Sequence, residues 1–177
     1  EDKSFSVQYP EKWSAKAQGY GDNQTISIQA PASGDEKAIF TVTRSPIDKD
    51  IKTLSQLVAK QSPEIKKQMR IKDFKSSTPM GNKHLLMYDV VAGKKTLKVK
   101  SYLWLDKGYW YMTAFAATPI SFNAYYSEED DMTKSVSTAK ASTATAGPKS
   151  TNADAAQKGE ALVEVDCSSI SGYNIIT

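Results

Sequence analysis
Residue types capable of covalent or metal chemistry are scarce in this chain, which holds one histidine, His84, and one cysteine, Cys167. A serine triad needs a histidine base held by an acid, and zinc sites draw on several His and Cys side chains. A lone imidazole cannot supply a histidine cluster, and Cys167 could act as a nucleophile only if the end of the chain folded back onto His84. His84 is followed at alternate positions by Leu86, Tyr88 and Val90, so it shares the apolar face of a strand. The role expected there is that of a hydrogen-bonded structural residue. Cys167 reads as a small apolar strand residue, and as the single thiol it makes no internal disulfide.

Carboxylates gather in Glu128-Glu129-Asp130-Asp131 and, more thinly, at Asp48 and Asp50. A calcium loop spaces its acidic ligands at alternate positions and turns on a glycine; the four-residue run lacks that spacing, and Asp48 and Asp50, though alternate, are followed by no third carboxylate or glycine turn. Acidic residues at the start of a helix instead favour the positive end of the backbone dipole. The acidic run is read as part of a helix, the Asp48–Asp50 stretch as a loop leading into one, and neither metal nor other cofactor is expected.

Lysines form two groups. Lys66, Lys67, Arg70, Lys72 and Lys75 surround the end of a first helix, and Lys94, Lys95, Lys98 and Lys100 run along a strand. On that strand Lys98 and Lys100 share a face with Tyr102 and Trp104. Basic side chains among aromatic rings suit single-stranded nucleic acid, but the glycine and aromatic spacing of an RNA-binding motif is missing. Lysines also guard strand edges against aggregation, which is the reading favoured here. Lysine stems beside rings suit protein docking as well.

The rest of the composition limits what these side chains can serve. A chain of 177 residues accommodates one domain and an extension. Hydrophobic residues at 40% and charged residues at 24% are ordinary for a globular protein, and a net charge of +3 suits nucleic acid only if concentrated on one face. No apolar run approaches the roughly 20 residues a membrane helix needs. The sequence begins at Glu1 and not at a methionine, so a signal peptide or a lipid-anchored cysteine removed upstream is the expected membrane link.

The elements that position these residues follow from periodicity. Phe5, Val7 and Tyr9 alternate with polar residues over 4–9, Pro10 stops the pairing, and Trp13 folds back over the strand end. A polar turn region around 19–23 precedes a strand at 25–29 and another at 38–43. Leu54, Leu57 and Val58 mark a helix that is either kinked at Pro63 or split into 52–61 and 63–70, since Ser62-Pro63-Glu64 has the form of a helix start. A short strand at 71–75 and a turn at 79–81 lead to three long β segments at 83–91, 96–105 and 109–116. Thr118-Pro119 opens a helix whose stripe of Phe122, Tyr125, Tyr126, Met132 and Val136 runs to 137. Residues 138–160 hold no aromatic or large aliphatic side chain and read as a linker. Residues 161–177 form a short β-like tail, able to add a strand to an exposed edge in cis or on a neighbouring subunit.

Asp106-Lys107-Gly108 is expected to be a three-residue hairpin loop. Leu105 then faces Tyr109, which pairs Trp104 with Trp110 and Tyr102 with Met112 on one face. Val99, Leu103, Leu105, Tyr109, Tyr111 and Phe115 fall on the other. Both faces are apolar and call for cover. One solution is an α+β fold with an antiparallel sheet flanked by helices on both faces, an α/β/α sandwich over residues 1–137, and it is favoured. The alternative leaves one aromatic face as a docking surface for a protein, with Tyr102, Trp104, Trp110, Met112, Lys98 and Lys100 as its contact residues.

The succession of strand, Tyr-Pro-x-x-Trp, two strands, leucine-rich helix, three-strand meander and final helix resembles the PsbP-like superfamily of PsbP, Mog and DcrB types. The residues carrying the resemblance are Phe5 to Trp13, Thr53 to Leu57 and Trp110 to Phe115, within about residues 3–137. Lys134-Ser-Val-Ser137 stands where that family often closes its last helix with a hydrophobic residue, Asn, Ser and Phe. The resemblance implies a domain that binds proteins, as an assembly factor, scaffold or chaperone of larger complexes, and not an enzyme. The expected function is therefore a non-catalytic protein-binding or accessory subunit of the cell envelope, periplasmic or otherwise extracytoplasmic. The alternatives are a cytoplasmic secretion chaperone that shields an apolar segment of a partner, and, disfavoured, a hydrolase or a nucleic-acid binder.

Overall fold
The structure, a computed structural model, describes residues 5–31, 37–138 and 162–166. The expected linker falls almost wholly outside the described residues, as does Cys167. The elements run β1 (Ser6–Pro10), β2 (Ser14–Tyr20), β3 (Asn23–Gln29), β4 (Ala38–Pro46), α1 (Leu54–Met69), β5 (Ser76–Met80), β6 (Lys83–Ala92), β7 (Lys95–Asp106), β8 (Tyr109–Ala117), α2 (Pro119–Ala124), α3 (Tyr126–Ser135) and β9 (Leu162–Asp166). The fold is α+β. Seven strands make one antiparallel sheet in the order β2-β3-β4-β8-β7-β6-β5, while β1 and β9 pair as a separate ribbon.

β1 is held along both sides. Its residues from Ser6 to Pro10 pair with β9. On the other side Ser6 and Ser137 exchange backbone hydrogen bonds of 3.0 Å. Pro10 ends the strand, and the Trp13 N–H donates to the Pro10 carbonyl at 2.9 Å, which turns the indole back into the core against the edge of Tyr125. β2 was hidden in the sequence because it is an edge strand whose half-buried residues are only Ala15 and Ala17, too small to mark an apolar period.

α1 is one continuous helix, neither started nor split at Ser62-Pro63-Glu64. Its start is a capping box: Thr53 Oγ1 accepts from the Gln56 N–H at 3.3 Å, and Gln56 Oε1 accepts from the Thr53 N–H at 3.1 Å. Pro63 withholds a donor from the Ala59 carbonyl, and both residues lie on the exposed side of the helix. Residues 71–75 form an irregular link and not the expected strand. Pro79 and Met80 belong to β5, a sheet edge where a missing N–H costs no ladder bond. The final helix is broken at Tyr125 into α2 and α3, with Thr118 capping α2 ahead of Pro119.

The β7–β8 hairpin corrects the expected register. Lys107 and Gly108 both have positive φ, 47° and 83°, so the loop is a two-residue turn and not the three-residue loop of Asp106 to Gly108. Asp106 therefore faces Tyr109, Leu105 faces Trp110, Trp104 faces Tyr111 and Leu103 faces Met112. A slip of one residue in one strand moves its side chains to the other face. Trp110 and Met112 thus leave the face of Trp104 and Tyr102, while Tyr109, Tyr111 and Phe115 join it.

Two apolar clusters result. One gathers Trp104, Tyr111, Phe115, Phe40, Val42, Ile26 and Ile28 with Phe5 and Val7 of the β1 segment, Phe122 of α2 and Met132 of α3. The other gathers Leu86, Tyr88, Val99 and Leu103 with Leu57 and Ile65 of α1, and Trp110 and Met112 pack against it.

Candidate functional site
On the face of the first cluster the residues lie in rows across the strands. Arg44, Tyr111, Trp104 and Lys83 are paired in sequence across β4, β8, β7 and β6. Trp104 stacks on Tyr111 at 5.3 Å between centroids and 12° between planes, and Lys83 Nζ stands 4.8 Å from the Trp104 centroid. A stacked pair contributes about 0.5–1.5 kcal/mol beyond its buried area. Phe5 meets Tyr111 edge-on at 6.1 Å, and the Arg44 guanidinium lies 4.5 Å from the Tyr109 centroid.

The neighbouring rows carry Tyr102, Lys100 and Lys98 of β7. Lys100 is buried and ion-paired with Glu129 of α3 at 2.6 Å, and Glu129 also accepts from the Thr133 hydroxyl at 2.8 Å. The Lys100 ammonium sits 4.6 Å from the Tyr126 centroid and 5.4 Å from that of Tyr102. Lys98 stands 5.8 Å from the Phe122 centroid. Because β7 lies inside the sheet, Lys98 and Lys100 guard no edge; they lie over aromatic faces. Burial opposes the charge on Lys100, but the hydrogen bond and charge of Glu129 outweigh it, and its pKa stands above the ordinary lysine value. For Lys83 burial prevails over the more distant Glu129, and its pKa is lowered.

The expected contact set is thus divided. Tyr102, Trp104, Lys98 and Lys100 share one face, whereas Trp110 and Met112 pack in the α1 cluster. Trp104 and Lys100 are buried, which leaves half-buried Tyr102, Lys98 and Lys83 with exposed Tyr126 as the accessible strip. Lys83 and Tyr126 were missed. Counting outward from the two-residue turn at Gly93-Lys94 between β6 and β7 sets Lys83 beside Trp104, whereas Tyr126 reaches the strip only through the docking of α3. Arg44 was missed as well, although it continues the inward series Ala38, Phe40, Val42.

The other chemical residues lie apart. His84 Nε2 and the Ser77 hydroxyl share a hydrogen bond of 2.8 Å across the β5–β6 edge, and burial lowers the imidazole pKa. No carboxylate that would orient the imidazole is bonded to it among the described residues, so the pair has the form of a cross-strand polar contact. Asp48 and Asp50 pair with Lys60 of α1 at 2.7 and 3.7 Å. Within the acidic run, Glu129 is used by Lys100 and Asp130 by Lys134 at 2.5 Å. No group of three or more His, Cys, Asp and Glu gathers to hold a metal among the described residues. No helix among them is long and apolar enough to cross a membrane.

The fold is PsbP-like. The solution structure of the cyanobacterial PsbP, CyanoP, from Synechocystis sp. PCC 6803 is similar at a TM-score of 0.55 and 12% identity, over 76% of this chain and 86% of that one. PA94 from Pseudomonas aeruginosa, described as a protein of unknown function and candidate regulator, is similar at a TM-score of 0.56 and 15% identity, over 76% of this chain and 99% of that one. The sequence matches no protein-family model and no curated protein.

Proposed function
We propose that this chain is a non-catalytic protein-binding domain that acts outside the cytoplasm as an accessory or assembly subunit. A partner would meet it on the strip of Lys83, Tyr102, Lys98 and Tyr126. The observation that carries this reading is the accessible strip itself: aromatic rings beside cationic heads, on a face where the Glu129 carboxylate is buried against Lys100. Aromatic rings are enriched in protein interfaces, and the lysine heads beside them favour an acidic partner surface. The PsbP-like fold supports the reading by analogy, since the resemblance implies binding subunits and not enzymes. The same reading takes the sheet as covered by helices on both faces. It is supported by Leu57 and Ile65 of α1 joining one cluster while Phe122 and Met132 of α2 and α3 join the other.

A photo-crosslinking amino acid placed at Tyr102 or Tyr126 in cells tests it. A discrete adduct is expected from both positions, lost when Lys83→Glu is added, and not formed from Ser14 on the exposed β2 edge. Absence of adducts from the strip, or equal adducts from Ser14, would overturn the assignment.

A further inference from the structure
Arg44 stands in the apolar interior with a relative exposure of 1%. Its Nε, Nη1 and Nη2 have no hydrogen-bond partner among the described residues, and the same holds for Gln24 Oε1 and Thr113 Oγ1. These orphans lie together. Gln24 pairs with Arg44 across β3–β4, Arg44 with Tyr111 across β4–β8, and Thr113 is the next residue on that face of β8. Buried polar atoms are almost always satisfied, and a guanidinium cannot lose its proton to escape the cost of burial. Asp106, whose charge reaches Tyr111 on this face, is bonded to Thr138, and Glu129 is bonded to Lys100 and Thr133. The Tyr111 hydroxyl lies near enough for the charge and hydrogen bonding of Arg44 to oppose the rise that burial imposes on its pKa, but the pair misses full hydrogen-bond distance and angle. The Tyr109 and Phe5 rings, with centroids at 4.5 and 5.9 Å, give cation–π contact but no acceptor lone pair.

We propose that Arg44, with the Thr113 hydroxyl beside it, forms a buried receptor for a small oxyanion, a carboxylate or a phosphate, which supplies the missing counter-charge. The guanidinium presents its N–H groups as a fork that matches two oxygens of one anion. The Thr113 hydroxyl donates to the same anion or to a water bound with it. The Phe5 ring lies over the guanidinium, with its centroid at 5.9 Å.

The test uses the full chain and two probes, sodium acetate and inorganic phosphate, against sodium chloride at matched ionic strength. The readouts are the melting temperature and the Arg44 Nε–H resonance, identified by its absence in Arg44→Lys. At about 100-fold excess over Kd, one or both probes should raise Tm by roughly 5–10 °C and shift that resonance. Which probe acts separates a carboxylate ligand from a phosphate ligand. Arg44→Met should lose the response, and Arg44→Lys, which keeps charge without the fork, should bind at least tenfold more weakly if Arg44→Met does not fold. No response beyond chloride in the parent protein, with internal water alone serving the guanidinium, would overturn the proposal. An equal response in the variants would overturn it too.

Discussion
Removing the Glu129 carboxylate should be among the most damaging single changes in this domain. Lys100 and Glu129 are 6% and 1% exposed at the side chain and 2.6 Å apart. In Glu129→Ala the ammonium keeps only the Tyr126 and Tyr102 rings, at 4.6 and 5.4 Å, and Thr133 loses its acceptor. Orphaning one member of a buried pair costs about 3–5 kcal/mol, of which the rings return about 0.5–2. A net loss of about 3 kcal/mol is expected, within a total stability on the order of 5–15 kcal/mol. At about 2–4 °C per kcal/mol, Tm should fall by roughly 10 °C. The double variant Lys100→Met, Glu129→Leu should recover to within about 1 kcal/mol of the parent, because an apolar pair of similar volume removes both desolvation costs. Urea unfolding followed by tryptophan fluorescence, run as a double-mutant cycle, measures the coupling. A loss below about 1 kcal/mol in Glu129→Ala, or simple additivity in the double variant, would show that Lys100 is a solvated cation and that the burial argument is wrong. The pair also fixes an alkaline limb. The fold raises the Lys100 pKa above 10.5, so its contribution is complete below that pH and is lost as pH climbs through the folded-state value; Lys100→Met should lack this loss.

Three further outcomes are expected. Lys107→Asn should stabilise the hairpin by a few tenths to about 1 kcal/mol, and Gly108→Val should cost about 1–2 kcal/mol, since both turn positions have positive φ; thermal melts check both, and the opposite order would contradict the turn assignment. Thr53→Ala should cost about 1 kcal/mol by opening the capping box, measured by urea unfolding, with an unchanged midpoint counting against it. His84 has its pKa lowered from 6.5 by burial, so the fold binds this proton less tightly than the unfolded chain. Its contribution is therefore intact above pH 6.5 and falls as pH drops through the folded-state value, and His84→Gln should flatten the stability slope between about pH 7 and 5.

The sequence by itself determined the elements whose signal is local. Alternation marked β1, β3, β4 and the three strands of the meander, Leu54, Leu57 and Val58 marked α1, and Thr118-Pro119 marked the start of α2. It also determined the lack of histidine and cysteine partners, which needs only counting. The site was half legible: Tyr102, Trp104, Lys98 and Lys100 share a face by period alone, but Trp110 and Met112 were assigned to it by a turn one residue too long. Whether Asp106 joins the loop or the strand is settled by two backbone dihedrals, at Lys107 and Gly108, that residue types only bias. Tertiary structure alone decided the rest. α3 docks beside β1 and brings Glu129 to Lys100 and Tyr126 to the strip, although 29 residues separate the ion pair along the chain. Arg44 is out of solvent although it is an arginine, because Phe5 at the entry to β1, far away in sequence, lies over it. Periodicity assigns a side chain to a face, but only the element packed on that face decides whether its charge meets water, a ring or a counter-ion.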